Sequence, residues 1–535
     1  MARKPKIALV PASEIAPRSR PANSTSPYSS RSFYLEDLPS TLYPLTTNRF
    51  LVENGAQELL DYAASLLKGD GSFLPQRRVY ANKDGIHLRR TVKLDPVAEL
   101  FLYDIIFRNR AKFRKPHNED RRHFGYRFIK GRPVAASSSY AEFRRFAADA
   151  TFAHEEYFYF DISSYFNGIY HHDLHAWFAA LKPDDPSDVE AFGRFLREIN
   201  AGRSLDCLPQ GLYPTKMIGN DFLRFLESSA TIRSQKMCRF MDDVYIFDDN
   251  INVLNNDFAH IQRLLGLKGL SVNASKTKSG TIWDFDDHDE TPVSALKQRL
   301  LKRRRSLIVS HYDEFDQCVS EADDDEADGD SADLGANGTD AIIPLDDEEI
   351  AFVKETLDSE KLTEEDAELL LVVLRDNVSL VEAHLDKFAS GYPHLAKNFY
   401  GLCAAASDKE RVAEVVLSVI NGNEHVDEYQ LFWFGMMLES YLMDTKHAPA
   451  LVDSLFKHRS STDISKSKIL EIADLRYGLP EMREFYLREG RSDWLAWASA
   501  VGSRAMDRQA RNYLLGYFAN GSEMNRLISN IVQKN

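Results

Sequence analysis

The chain has 535 residues, 44% of them hydrophobic and 27% charged, which is enough apolar material for about two to four domains. No apolar run approaches the roughly 18 residues of a membrane span, and the N-terminus has no signal-peptide core. The four cysteines form no CxxC pair, which argues against a zinc site or a disulfide framework. We therefore expect a soluble, cytoplasmic protein without a membrane partner.

The net charge of −15 is divided unevenly along the chain. Residues 1–310 contain 45 Lys and Arg against 37 Asp and Glu, whereas residues 311–535 contain 21 against 44. The first part therefore carries +8 and the second −23, which indicates two different roles. A basic domain suits an anionic partner such as a nucleotide or a nucleic acid.

The N-terminal stretch is rich in Pro, Ser, Arg and Ala, and we predict an arm with little structure of its own over residues 1–50. Apolar residues at helical spacing follow over residues 51–68. A basic, strand-like stretch then contains Arg89, Arg90 and Lys93, and a further helical pattern follows it.

Three aspartates stand at the ends of predicted strands. An aromatic strand over residues 157–160 ends on Asp161. Apolar residues on both sides of Asp242 and Asp243 predict a tight β-hairpin with the two carboxylates at its tip. The order strand, helix, Gln-Gly loop, helix, hairpin, helix, strand predicts an α+β palm-like core with an antiparallel sheet, within a domain of residues 51–310.

The rest of the chain divides into an acidic stretch and a helical region. Residues 313–349 contain sixteen acids and no Lys or Arg, so we predict a disordered linker over residues 311–348. Nearly every window of residues 349–535 has helical spacing, in units of two short helices every 35–45 residues or so. This pattern predicts an all-α helical-repeat, solenoid-like domain, with a compact helical bundle as the alternative.

The three aspartates would converge on one side of the sheet if the strand and the hairpin are neighbours. Converging carboxylates suit Mg²⁺ or Mn²⁺. Two such ions about 4 Å apart activate an attacking hydroxyl and stabilise a leaving pyrophosphate. We therefore predict that Asp161, Asp242 and Asp243 are catalytic metal ligands; the plain alternative for the hairpin pair is a solvated β-turn, where Asp is common.

Two further positions suit a nucleotide substrate. Gly211, next to Gln210, would let the backbone approach a nucleotide or a template closely. Phe166 lies five residues after Asp161, where the turn would place its ring against the sugar and exclude a 2′-hydroxyl. A ring in the hydrophobic core is the ordinary alternative for such a residue.

Four cations complete the predicted site. Arg89, Arg90 and Lys93 would clamp the triphosphate. Lys276 would protonate or steady the leaving pyrophosphate. For all of them, a simple surface location is the competing explanation.

Four stretches of the chain resemble the successive motifs of reverse transcriptases, in the same order. They read Asp-Ile-Ser-Ser-Tyr-Phe at 161–166, Leu-Pro-Gln-Gly at 208–211, Phe-Met-Asp-Asp at 240–243 and Gly-Leu…Asn…Lys-Thr at 269–277. The resemblance covers about residues 85–285. It implies that Asp161 and Asp242 bind metal with Asp243 beside them, and that Phe166 is the gate that selects deoxynucleotides.

The second half indicates a branch of this family. No recognisable thumb follows Lys276, and a long helical half is similar to the bacterial abortive-infection reverse transcriptases, the AbiK- and AbiA-like defence proteins. In that family a helical repeat domain replaces the thumb, members form oligomers, and some make DNA without a template from a tyrosine of their own. The resemblance implies dNTPs as substrates, a trimer or hexamer, and phage resistance in a bacterial cytoplasm.

Self-priming would leave single-stranded DNA attached to the protein. Tyr28, Tyr34 and Tyr43 are the candidates for the priming hydroxyl, although a tyrosine that anchors an arm is the commoner case. Two other functions stay open at this stage: a conventional RNA-templated reverse transcriptase, and a nucleic-acid-binding scaffold with a vestigial palm.

Overall fold

The computed structural model describes residues 28–83, 87–113, 118–203, 208–281, 299–300, 345–359, 362–422 and 425–535. The strands of the first half are β1 (Arg77–Asn82), β2 (Leu88–Lys93), β3 (Arg121–Phe124), β4 (Phe128–Ile129), β5 (Arg132–Pro133), β6 (Glu156–Phe160), β7 (Lys236–Phe240), β8 (Asp243–Asp248) and β9 (Lys278–Thr281). Its α-helices are α1 (Ser30–Asp37), α2 (Thr46–Ser65), α3 (Pro96–Arg108), α4 (Ala136–Ala153), α5 (Tyr165–Gly168), α6 (His171–Ala180), α7 (Ser187–Ile199), α8 (Tyr213–Phe222), α9 (Arg224–Glu227) and α10 (Ile251–Gly266).

A five-stranded sheet in the order β3-β7-β8-β6-β9 lies at the centre of the first half. All neighbours are antiparallel except β3, which runs parallel to β7 as an edge strand. Side chains of β8 alternate between the two faces, as a strand requires. Val244 and Ile246 share a core with α10, whereas Tyr245 and Phe247 pack with α4. The predicted α+β core with a largely antiparallel sheet is therefore present.

Residues 28–50 do not form an extended arm, which corrects the prediction for this part of the chain. Helix α1 and the start of α2 are packed in the core, with Phe33, Tyr34 and Leu45 fully buried. The ring of Phe33 meets the rings of Tyr103 and Phe128 edge-on at 5.0 Å between centroids. The Pro- and Ser-rich composition of the preceding residues, which lie outside the described ones, concealed this short apolar helix.

The second half of the described chain is helical. Its α-helices are α11 (Asp347–Asp358), α12 (Glu364–Val373), α13 (Leu385–Gly391), α14 (Ala396–Ala405), α15 (Lys409–Gly422), α16 (Glu428–Met437), α17 (Ala448–Lys457), α18 (Asp463–Leu470), α19 (Leu479–Arg488), α20 (Trp494–Gly502), α21 (Arg508–Ala519) and α22 (Glu523–Lys534). Most of the predicted acidic linker, residues 311–344, lies outside the described residues. Within the described ranges, no helix is both long and apolar enough to cross a bilayer.

The two halves share one hydrophobic core. Phe432 of α16 and Ile531 of α22 belong to the same buried cluster as Leu51 and Leu59 of α2. Gly55 departs from helical geometry within α2, and a Cβ atom there would clash with the side chain of Ile531. The glycine therefore allows α22 to cross α2 at close range.

A buried ionic network also joins the halves. Glu471, which follows α18, accepts hydrogen bonds from the backbone amides of Thr46 at 2.8 Å and Thr47 at 2.7 Å. Lys468 is fully buried, donates to Glu471 at 2.7 Å and forms an ion pair with Glu439. Because α2 receives no side-chain cap from the residue before it, a carboxylate from the second half satisfies its first amides.

Candidate active site

Strands β7 and β8 form the predicted hairpin, with its turn at Met241 and Asp242. Phe240 pairs with Asp243 across the strands, so two residues lie between them. Met241 has a φ of 56°, in the left-handed region that two-residue hairpin turns require. The tight turn therefore places the Asp242 carboxylate at the end of the sheet.

Asp161 directly follows β6, the neighbour of β8. Its backbone carbonyl accepts a hydrogen bond from the amide of Asn273 at 2.8 Å, and the Asn273 side chain donates to its carboxylate at 3.3 Å. A β-bridge between Ile162 and Val272 continues this pairing. The segment after α10 thus holds Asp161 beside the hairpin, which is the arrangement that the sequence predicted.

Asp161 and Asp242 form a closely spaced carboxyl pair. Burial raises the pKa of Asp242 to about 7, and the negative charges of Asp161 and Asp243 add to this effect. Asp161 is only 8% exposed. Two carboxylates with so little water around them repel each other unless a proton or a cation lies between them.

Asp243, the next residue, has a hydrogen-bond partner of its own. Its Oδ1 accepts a hydrogen bond from the Tyr159 hydroxyl at 2.6 Å, and burial raises its pKa despite that bond. In the part of the chain that the structure describes, no three His, Cys, Asp or Glu side chains gather closely enough to hold a metal ion. Asp243 thus lies against Tyr159, and metal binding by Asp161, Asp242 and Asp243 stays a prediction.

Two other predicted residues lie at this end of the sheet. Lys276 places its Nζ 3.3 Å from Oδ2 of Asp161, with half of its side chain exposed. A side-chain carbon built on Gly219 would lie 3.2 Å from the tip of the Phe166 ring and 3.5 Å from Cε of Met241. The absence of a side chain at Gly219 therefore makes room for the Phe166 ring next to the hairpin turn.

The Gln210–Gly211 loop lies against β2. The backbone amide of Gln210 donates to Oγ1 of Thr91 at 3.0 Å. Gly211 has a φ of 91°, and a Cβ atom there would approach the Leu42 side chain to 3.1 Å. Both its conformation and its neighbour favour glycine at this position. The structure thus joins this loop to the strand that carries the predicted basic residues.

Of the three cations predicted to clamp the triphosphate, Lys93 is wrongly assigned. It is 4% exposed, and its Nζ donates to the equally buried Glu99 at 2.7 Å. Arg89 is exposed on the β1–β2 hairpin near Tyr429 of the helical half, and Arg90 is half-buried. The pattern of a basic strand could not show that a glutamate in the first turn of α3 would draw Lys93 inside.

The three predicted priming tyrosines are also buried. The hydroxyls of Tyr28, Tyr34 and Tyr43 donate to two carboxylates and a backbone carbonyl at 2.5–2.8 Å. Burial raises the pKa of each of these hydroxyls. A buried phenol that already donates a hydrogen bond cannot reach a nucleotide, so this conformation does not suit the priming role.

Sequence reasoning missed Arg239, which is fully buried beneath the hairpin turn. Its guanidinium donates to the carbonyl of Met241 at 2.8 Å and to the carbonyl of Asn220 at 2.9 Å, and it pairs with Glu227 at 2.7 Å. These contacts hold the left-handed turn that carries Asp242. The one available signal was an arginine in an otherwise apolar strand, where a charge needs a partner.

Replacing Arg239 by Lys keeps the charge but removes the planar fork that reaches several acceptors at once. We expect the nucleotide incorporation predicted from the sequence to fall roughly 10- to 100-fold, the usual effect of losing an outer partner of a metal ligand. Steady-state incorporation and the thermal midpoint would be measured beside the same change at Arg263, which is exposed on α10. Unchanged incorporation by the Arg239 variant would show that the turn does not need this support.

The raised pKa of Asp242 predicts how stability depends on pH in the absence of metal. An unfolded Asp loses its proton near pH 4, whereas folded Asp242 keeps it up to about pH 7. Between about pH 4 and pH 7 the folded state therefore binds more protons than the unfolded state. The free energy of unfolding then falls as the pH rises through this range. Asp242→Asn should remove this pH-dependent loss of stability. In EDTA at about pH 8 the variant should therefore be more stable than the parent.

Urea midpoints at about pH 4 and pH 8 would measure this difference. The two proteins should differ little at the lower pH, where folded Asp242 is neutral and the unfolded Asp is only about half ionised. Parallel pH profiles for the parent and the variant would contradict the raised pKa.

One family model matches the part of the chain that contains the candidate site. Residues 113–304 match the family "Reverse transcriptase (RNA-dependent DNA polymerase)". The matched segment contains the facing aspartates, Phe166, the Gln210–Gly211 loop and Lys276, but not the β1–β2 hairpin. No curated protein matches the chain.

Among solved structures, an apo telomerase from Candida tropicalis is 10% identical, with 76% of this chain and 73% of that chain covered and a TM-score of 0.31. A telomerase from Candida albicans, in complex with a fragment of telomeric RNA, is 11% identical, with 75% and 65% covered and a TM-score of 0.29. Scores this low do not establish a common overall fold.

Proposed function

We propose, from the reverse-transcriptase-type domain of residues 113–304, that this chain is a metal-dependent DNA polymerase of bacterial antiphage defence. The observation that carries the proposal is the buried pair Asp161 and Asp242 at adjoining strand ends, with the pKa of Asp242 raised to about 7. Carboxylate oxygens in such an arrangement are the donors that Mg²⁺ and Mn²⁺ prefer. A cation between Asp161 and Asp242 would offset the repulsion of the two carboxylates, which otherwise favours a proton on Asp242.

Bound Mg²⁺ or Mn²⁺ ions would supply Lewis-acid stabilisation of the attacking primer hydroxyl and of the pyrophosphate that leaves the dNTP. The residues of the chain have separate tasks around that chemistry. Asp161 and Asp242 hold the cations at the sheet end. Lys276, next to Asp161 and half exposed, is placed to neutralise the departing pyrophosphate. Phe166, beside Met241, restricts the space at the sugar and favours deoxynucleotides.

The helical half supports the assignment to the abortive-infection type. Its helices contact their next-but-one neighbours along the chain, for example α12 with α14 and α13 with α15. Such contacts are typical of stacked helix pairs, and we extend the proposal to a solenoid-like repeat region. By the same resemblance, the proposed enzyme is a homo-oligomer that makes single-stranded DNA.

An incorporation assay with purified protein, labelled dNTPs and Mg²⁺ or Mn²⁺ tests the proposed activity. Parallel reactions with and without an RNA template and primer separate templated from template-free synthesis. Protease treatment of the product then shows whether the DNA is attached to the protein. Absence of incorporation under every condition would refute the polymerase, and a strict requirement for template and primer would identify a conventional reverse transcriptase.

The defence role is tested in bacteria that express the chain. Phage plaques should decrease with the parent protein and return to control numbers with Asp242→Asn. Active polymerase without any effect on a broad panel of phages would remove the defence role and leave the enzymatic activity standing.

The proposed role of Phe166 in selecting deoxynucleotides is tested separately. Replacing Phe166 by Ala opens the space next to the sugar, so ribonucleotides should be incorporated more readily, with discrimination falling by roughly 10-fold or more, as expected for a contact worth about 1.4 kcal/mol. The ratio of kcat/KM for dNTP and rNTP would be compared with that of Phe225→Ala, a change on α9. An unchanged ratio would exclude Phe166 as the gate.

A further inference from the structure

A cavity of about 680 Å³ lies between the two halves of the chain, away from the aspartates. One wall comes from the start of α2 and the residues before it, and the other from α14 and α16 of the helical half. A volume of this size is typical of sites for small organic ligands. The cavity belongs to none of the functions assigned above.

The cavity contains more positive charge than its own acids balance. Its four cations are Arg49, Arg375, Lys397 and Arg504, and its two acids are Glu53 and Glu439. Both acids are already engaged. Glu53 pairs with Arg49 at 3.0 Å, and Glu439 pairs with Lys468.

Two of the four cations have neither an ion pair nor a hydrogen bond within the described part of the chain. Arg504 donates to the carbonyls of Glu471 and Val501 at 2.9 and 2.8 Å. Arg375 and Lys397, by contrast, make neither a hydrogen bond nor an ion pair with any residue that the structure describes. Both side chains are half-buried, so they have lost part of their hydration, and an anion would offset that cost.

The electrostatic surroundings of these two cations also favour an anion in the cavity. The pKa of Lys397 is lowered to about 8, mainly by burial and also by the positive charges of Lys216 and Arg375, while the negative charge of Asp37 raises it in part. Burial also lowers the pKa of Arg375. Positive charge therefore accumulates here and would be relieved by an incoming anion.

Aromatic rings line the same cavity. The half-buried ring of Tyr400 stacks on Tyr441, with centroids 5.7 Å apart, and lies 5.4 Å from the ring of Trp433. Lys397 is 5.6 Å from the Trp433 ring. A flat aromatic surface next to unpaired cations matches a ligand that is itself both aromatic and anionic.

We propose that this cavity binds a phosphorylated nucleotide, with its phosphates against Arg375 and Lys397 and its base against Tyr400. The nucleotide is either a free molecule or one unit of a single strand, since both present the same chemistry. The site does not depend on the polymerase assignment, because none of its residues belongs to the proposed active site.

Isothermal titration of the full chain with dATP in EDTA tests the proposal, since EDTA suppresses metal-dependent binding at the aspartates. We expect saturable binding that weakens at least about 10-fold in Arg375→Gln and in Lys397→Gln, each of which loses a charge-assisted contact. Lys457→Gln, an exposed change on the same half, should bind like the parent. Asp242→Asn should also retain binding, which separates this site from the polymerase site.

Three further measurements complete the test. Adenosine should bind far more weakly than dATP, and an oligothymidylate of about ten nucleotides should displace dATP if the ligand is a strand unit but not if it is a free nucleotide. Gly401→Ala, whose Cβ would lie 2.8 Å from the guanidinium of Arg375, should weaken binding even if the glutamine variants misfold. Equal affinity for dATP and inorganic phosphate, or equal dATP affinity in the parent and all cavity variants, would overturn the proposal.

Discussion

Asp242→Asn should abolish nucleotide incorporation, with a loss of at least about 100-fold, greater than the usual cost of removing an outer partner of a metal ligand. The amide has the shape of the carboxyl group but carries no charge, so the pair with Asp161 can no longer attract a divalent cation. The tight turn at Met241 and its support from Arg239 do not involve the Asp242 side chain. The fold should therefore persist while the activity is lost.

Asp249→Asn is the matched control for this experiment. Asp249 lies beyond the far end of β8, is exposed, and accepts a hydrogen bond from the amide of Glu155 at 3.1 Å. The same change in chemistry there should leave incorporation within about twofold, as expected for a surface substitution. Single-turnover incorporation and circular dichroism would be recorded for both variants. Robust synthesis by Asp242→Asn would refute the proposed site.

Lys468→Met should lower the free energy of unfolding by about 3–5 kcal/mol, the usual cost of leaving a buried charge without its partner. Lys468 is fully buried between Glu439 and Glu471, and its removal leaves the buried carboxylate of Glu471 close to the half-buried one of Glu439. Glu471 also satisfies the first amides of α2. The loss should therefore loosen the contact between the two halves.

Urea unfolding followed by circular dichroism would measure this effect. Lys457→Met is the control, because Lys457 is exposed and pairs with Asp453 within one helix, a contact worth about 0.5 kcal/mol or less. Equal midpoints for the two variants would show that the ionic network adds nothing to stability.

Local patterns were sufficient to predict the centre of the proposed site. Asp161 ends an aromatic strand, Asp242 occupies a two-residue turn, and the segment with Asn273 follows a helix; each is visible within a few neighbouring residues. Their convergence follows from the pairing of adjacent strands. The same reasoning placed Lys276 near Asp161.

The incorrect predictions concern residues whose hydrogen-bond partners lie on another element of the fold, or residues that belong to a helix that was not predicted. Lys93 is drawn inside by Glu99, and Tyr34 donates to that same carboxylate from a helix 65 residues earlier. The hydrogen bond from Tyr159 to Asp243 on a neighbouring strand was likewise not predicted. Composition and spacing carry no information about such individual contacts, since they depend on three-dimensional packing.

Arg239 and the network around Lys468 illustrate the same limit. Arg239 reaches Asn220 and Glu227, which precede it by 19 and 12 residues. Glu471 reaches Thr47 across 424 residues. A buried charge in the sequence indicates that some partner exists, but not which one.

The cap that Glu471 gives to α2 has a consequence for protein synthesis. The amide of Thr47 leaves the ribosome 424 residues before its acceptor, an interval of roughly 20 to 85 s at about 5–20 residues per second. During that time the apolar face of α2 also lacks the helices that later cover it. The nascent first half must therefore wait for its completion, and chaperones that shield hydrophobic surfaces should associate with translating ribosomes at least until residue 471 has emerged.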